Sequence, residues 1–165
     1  ADVKGDFQIH IAENQVLFQF DNALFYSRLL EGMYPETSRL IPDTADTTIE
    51  LEAGNFLAAI DRASLLSHQG HNNVVKLSLD PDTNSAKISG DSADVGNVEE
   101  DVSFEKLTGA KLEISFNPDY MSDALKSFGQ ASVLLSFTSP LRPFTLVPTE
   151  DQENFVQLIT PVRTF

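Results

Sequence analysis

Residues 49–64 read IELEAGNFLAAIDRAS, and residues 111–127 read KLEISFNPDYMSDALKS. Each begins with alternating apolar and polar residues, the two-residue period of a half-buried strand. Each then changes to the three-to-four-residue spacing of an amphipathic helix. The second carries strong punctuation: Asn117 at the N-cap, Pro118 at the first helical position, Asp119 in the first turn and Gly129 after the last,. In the first, Asn55 is the expected N-cap, and Phe56, Leu57, Ile60 and Ala63 share one face,. Leu65 falls on the opposite side of that wheel, with Leu66 and Arg62 on its flank,.

Three strands are expected after each helix. VVKLSLD (74–80), SAKISG (85–90) and EEDVSFEK (99–106) follow the first; SVLLSFT (132–138), RPFTLVP (142–148) and FVQLITPV (155–162) follow the second,. The chain from about residue 47 is therefore one strand-helix-three-strand unit written twice. The fold class is α+β, with both helices on one face of antiparallel sheet. Upstream, FQIHIAENQVLFQF (7–20) predicts a hairpin around AEN, with Phe7, Ile9 and Ile11 in one row and Val16, Phe18 and Phe20 in another,. DNALFYSRLLEG (21–32) adds a strand after a turn at Asp21-Asn22. YPETSRLIP, bracketed by Pro35 and Pro42, predicts a short turn-helix, and the polar PDTADTT (42–48) predicts a boundary,. Residues 1–43 are thus expected to be the tail of another such unit, and 44–165 a complete domain.

Composition narrows the function. With 41% hydrophobic and 22% charged residues the chain reads as globular,. No apolar run is long enough to span a membrane, and no signal segment opens the chain,. The absence of Cys rules out disulfides and fits a cytoplasmic protein,. A net charge of -14 argues against anionic membranes and, on charge alone, against DNA,.

Catalytic signatures are missing: there is no phosphate-cradling glycine loop, GxSxG elbow or HExxH,. His68 and His71 lack a third ligand, so no metal is expected. DPDTNSAKISGD (80–91) begins like a calcium loop, but Ser85 stands where glycine and Asp91 where glutamate is needed, so Asp80, Asp82 and Asn84 read as a hairpin turn,. Glu99, Glu100 and Asp101 could form a paired-carboxylate site, but they read better as a solvated strand end. No cofactor is expected.

Three stretches in order resemble the bacterial DNA polymerase III beta subunit, the beta sliding clamp. SRLLEGMYPETSRLIP (27–42) resembles the end of that family's middle domain. ISFNPDYMSDAL (114–125) resembles its strand into the last domain's second helix, and LITPVRTF (158–165) its C-terminus. The resemblance implies a non-catalytic processivity factor, a head-to-tail homodimeric ring that encircles double-stranded DNA. Its three-domain chain is represented here only from the middle of the second domain onward. The ring's topology removes the conflict with the acidic charge, because encirclement needs no tight phosphate contacts.

By the same resemblance, Arg62, Lys76 and Lys126 would face DNA, with a solvated surface charge as an equal alternative for each. Leu65 and Leu66 would meet the other subunit. Polymerase, clamp loader and repair proteins would dock through short peptides of the Gln-x-Leu-x-Leu/Phe kind. Their site would comprise Pro35, Arg39, Leu40, Asn117, Tyr120, Leu141, Pro143, Ile159, Thr160, Pro161, Val162 and Arg163. Two rival readings remain: a β-rich non-catalytic protein-recognition module, and a hydrolase built on Glu99–Asp101.

Overall fold

A computed structural model describes residues 6–20, 22–33, 36–69, 73–92, 96–152 and 154–163, apart from the side chains of Ser38, His68 and Gln69. The chain divides into two compact units, Ala1–Glu36 and Thr37–Phe165.

The first unit is a meander of β1 (Gln8–Ile11), β2 (Gln15–Phe20) and β3 (Ala23–Arg28), antiparallel in that order. Two registers, Ile9 opposite Phe18 and Phe18 opposite Phe25, realise the expected alternation. The expected apolar row does not become a core: Ile9 and Ile11 are exposed, and Val16, Phe18 and Phe20 are only half-buried. Among the described residues of this unit there is one sheet and no second layer to bury its apolar face,.

The second unit opens with a 3-10 turn, Thr37–Leu40, and then β4 (Thr47–Glu52), which runs directly into α1 (Ala53–Gln69). β5 (Val75–Asp80), β6 (Ser85–Ser92), β7 (Gly96–Asp101), β8 (Lys106–Gly109) and β9 (Leu112–Phe116) follow. α2 (Pro118–Phe128), β10 (Ser132–Phe137), β11 (Phe144–Pro148) and β12 (Gln157–Ile159) complete it. Two antiparallel sheets result, β12-β11-β10-β4-β8 and β7-β6-β5-β9.

The duplication is visible in the pairing. Each helix follows a strand that pairs into the other repeat's sheet: β4 lies beside β10, and β9 beside β5. Exchanging leading strands locks the repeats around one core. Ile49, Leu51, Phe56, Ile60, Leu77, Ile88, Phe116, Met121, Leu135 and Phe144 are all almost fully buried in it. α1 packs hard against the four-stranded sheet at Gly90, where a Cβ would lie 2.2 Å from Ala63 O. The helices meet at Ser122, whose hydroxyl donates to Asp61 Oδ1 at 3.2 Å.

Two expectations require correction. Asn55 is not an N-cap: α1 already begins at Ala53, whose N–H donates to Ala131 O at 3.0 Å, so the strand passes into the helix without a capping residue. The Asn55 amide donates instead to Glu52 Oε2. EEDVSFEK is not one strand. The chain leaves β7 after Asp101, Val102 drops into the core with its N–H on Ala86 O, and Glu105 N–H donates to Glu50 O. That handover starts β8 on the edge of the other sheet.

Candidate functional site

The second unit's tail joins its two sheets. β12 pairs with β11, placing Ile159 opposite Phe144 on the five-stranded sheet. Two residues later Pro161 bridges Phe116 of β9, and Val162 N–H donates to Ser115 O at 2.7 Å. Residues 159–162 therefore run as one extended segment from the edge of one sheet to the edge of the other. Proline suits this place, since its missing N–H costs nothing at an edge. Below the crossing lie buried rings: Phe116 and Phe144 have centroids 5.8 Å apart, and Phe144 and Phe137 4.8 Å.

The seam brings together most of the expected docking residues. Asn117 follows Phe116 directly, and Pro143 precedes Phe144, so both flank the crossing at Thr160. Thr160 is exposed, Pro161 and Val162 are half-buried, Arg163 is exposed, and Ile159 is buried beneath them. Tyr120 is 62% and Leu141 60% exposed, high values for large apolar side chains,. Leu40 is half exposed at the end of the 3-10 turn; Arg39 precedes it there, and Pro35 lies outside the described residues. Ile159 is a core residue, buried beneath the exposed positions of the seam.

The start of α2 fixes one side of the seam. Asn117 is extended, and its Oδ1 accepts from Asp119 N–H at 2.8 Å, the expected cap,. Asn73, missed in the sequence, braces this turn: its Nδ2 donates to Asp119 Oδ2 at 2.6 Å and more weakly to Asn117 Oδ1 at 3.4 Å. Its φ of 41° is left-handed, a conformation asparagine tolerates well,. The Asn72-Asn73 dipeptide was the available signal.

The three candidate DNA-facing cations separate. Arg62 projects from α1 and forms a forked pair with Glu100 of β7. Hydrogen bonding in that pair raises the Arg62 pKa and lowers that of Glu100. Lys126, on the exposed side of α2, is 3.4 Å from Asp123. Lys76 does not share a wall with Arg62. Its neighbours Val75 and Leu77 point to the buried, helix-covered side of β5, so period-two alternation turns Lys76 to the opposite face,.

On α1, Leu65 is 66% exposed while Leu66 is half-buried, as the helical wheel predicted.

The carboxylate run is dispersed. Glu100 faces Arg62, Glu99 faces Lys87 on the other side of the sheet, and no shared pocket forms between them. Asp80 Oδ1 accepts from Asp82 N–H and Thr83 N–H, and Asp80 Oδ2 is 3.1 Å from Lys111 Nζ. It is a turn residue, and these contacts, led by Lys111, hold its carboxyl below the usual range. Among the described residues no three His, Cys, Asp or Glu side chains converge on a metal position; His71 and the His68 side chain lie outside them.

Residues 38–163 match the family model of the DNA polymerase III beta subunit, C-terminal domain. The beta sliding clamp of Bacillus subtilis strain 168 is 50% identical over 157 residues, which is 95% of this chain and 41% of that protein. That of Staphylococcus aureus strain Mu50 is 44% identical over 165 residues, all of this chain and 43% of that one. Among solved structures, the DNA polymerase III beta chain of Streptococcus pneumoniae TIGR4 superposes with a TM-score of 0.87 at 46% identity. The match covers 96% of this chain and 41% of that one. The sliding clamp of Bacillus subtilis gives 0.85 at 49%, with coverage of 96% and 41%. This chain therefore spans less than half the length of the relatives it matches. A family model over most of the sequence, and a shared fold carrying both repeats, lead to one conclusion: the chain belongs to the bacterial DNA polymerase III beta-subunit family, the beta sliding clamps.

Proposed function

We propose that this chain is the peptide-docking part of a processivity clamp, a non-catalytic, cytoplasmic protein that tethers a replicative polymerase to double-stranded DNA. Residues 1–43 represent the end of a middle domain in this reading, and 44–165 a complete last domain. The observation that carries it is the seam. A terminal segment crosses between two sheets beside Phe116, which precedes Asn117, and Phe144, which follows Pro143, with aromatic rings below; Tyr120 and Leu141, close to these in sequence, are exposed. Shallow apolar ground with a few fixed polar groups takes one or two Leu or Phe anchors of a short linear peptide. Arg39 and Leu40, in the same unit, would extend that site. The peptides would belong to polymerase, clamp-loader and repair partners.

In the same reading Arg62 and Lys126 line the DNA-facing wall. Both already have acidic neighbours, Glu100 and Asp123. A wall so compensated suits a ring that holds DNA by encirclement and lets it slide. Leu65 and Leu66 form the contact with a second subunit, and exposed Leu65 is its centre.

Fluorescence anisotropy of a labelled Gln-x-Leu-x-Phe pentapeptide, titrated with the 165-residue chain, tests the docking site. Saturable binding is expected, and it should disappear when Arg163 and the residues after it are deleted. Binding that survives both this deletion and Tyr120→Ala would place the site elsewhere.

A further inference from the structure

Asn73 carries two local costs that the path of the chain does not demand of it. Its φ of 41° lies in the left-handed region, which glycine adopts freely and asparagine only tolerates,. Its Oδ1 is buried and, among the described residues, accepts no hydrogen bond, which destabilises a fold wherever it occurs,. Glycine in its place would remove both costs. What asparagine supplies instead is the amide Nδ2, which donates to Asp119 Oδ2 at 2.6 Å and reaches Asn117 Oδ1 at 3.4 Å.

That amide is mounted on a fixed stretch of backbone. The Asn73 N–H donates to Ser67 O near the end of α1 at 3.3 Å, and Ser67 is buried. Two residues after Asn73, Val75 stands opposite Phe116 in the sheet, and both are buried. Asn73 is thus held from one side by α1 and from the other by β5. A group that orients others has to be held itself. The residues it reaches are less well anchored. Asp119 is exposed, and the next residue, Tyr120, is 62% exposed. A ring so open to solvent has few neighbours to place it, so the course of the first turn of α2 decides where it stands.

We infer that Asn73 is a positioning residue for peptide docking: its amide ties the first turn of α2 to the anchored start of β5, and so presets Asn117 and Tyr120 for the incoming peptide. This rests on the docking reading above. The gain is one of preorganisation, because a turn already held in place has less freedom to lose when the peptide binds. Asn73 acts through Asp119 and Asn117 and does not itself touch the peptide.

Anisotropy of the labelled Gln-x-Leu-x-Phe pentapeptide, titrated with the 165-residue chain and its variants, tests this, with each thermal midpoint measured alongside. Far below the melting transition, affinity reports on the folded site alone. Asn73→Gly keeps the left-handed backbone and deletes the amide. It should weaken pentapeptide binding about two- to tenfold, the span of one net hydrogen bond. Asn73→Asp sets a second carboxylate against Asp119 and should weaken binding at least as much. Adding Asp119→Asn to Asn73→Asp reverses donor and acceptor and should restore most of the lost affinity. Lowered thermal midpoints with unchanged affinity in both single variants would make Asn73 a residue of the fold alone, overturning the proposal while the docking site stands. Weakened binding that the reversed pair does not restore overturns the route through Asp119. Failure of the unsubstituted chain to bind the pentapeptide overturns the docking reading and the positioning role with it.

Discussion

Gly90 is a place where a single atom decides the packing. Its Cβ would sit 2.2 Å from Ala63 O, so Gly90→Ala must push α1 off β6. A loss of about 1–3 kcal/mol is expected, the usual cost of overpacking, visible as a lower midpoint in urea unfolding. Nothing in KISGDS announces this, because the contact belongs to a helix more than twenty residues earlier. Asn117 is the opposite case. Its cap was legible from Asn-Pro-Asp alone, since those three residues each satisfy a local helix-start requirement. Asn117→Ala should cost about 1 kcal/mol and Asn117→Asp much less; equal costs would mean the cap is idle. The Arg62–Glu100 pair sets a pH dependence. Glu100 is held below its ordinary value, so the pair's contribution is complete above about pH 4.3,. It is lost as the pH falls through the lower, folded value. A carboxyl-carbon NMR titration should find Glu100 titrating below the ordinary glutamate value, and Arg62→Met should remove that depression.

Elements were legible where a local period was unbroken. α1 and α2 follow from the period of their apolar residues, and Leu65 was recognised as off-core from its angle alone. β8 was not legible, because its existence depends on a handover between sheets at Val102 and Glu105 that only the tertiary pairing creates. The tail's apolar character was legible, but its crossing between sheets was not, since the bonds to Ser115 and Phe116 lie more than forty residues away. The crossing can be weakened at one atom. Val162→Pro removes the N–H that donates to Ser115 O, at a cost of about 0.5–1.5 kcal/mol,. The same variant should weaken pentapeptide binding; unchanged affinity with lowered stability would show that the seam holds the fold without shaping the groove.

On the scale of the whole molecule the two units differ in how they are held. The second encloses a closed aromatic and aliphatic core, whereas the first leaves Ile9, Ile11, Leu24 and Tyr26 exposed on its meander. A sheet that buries so little apolar surface gains little stability from it. Thermal unfolding followed by NMR should therefore lose the Phe18 and Phe25 signals well before those of Leu135 and Phe137. Brief proteolysis should remove the first unit and leave a resistant piece beginning between residues 37 and 47. Cleavage inside α1 or β10 before the meander would contradict this order. The charge of -14 was legible from composition, but it does not show how the charges are placed: Arg62 and Lys126 each stand beside a carboxylate.

Because the tail joins the two sheets and also floors the proposed groove, its described end at Arg163 lies on the surface that partners would use, and additions to the tail are additions to that surface. A purification handle, fluorophore or surface linker fused there would compete with the very peptides under study, and a binding failure would be mistaken for an inactive protein. A handle placed at the other end of the chain leaves the tail segment itself unaltered.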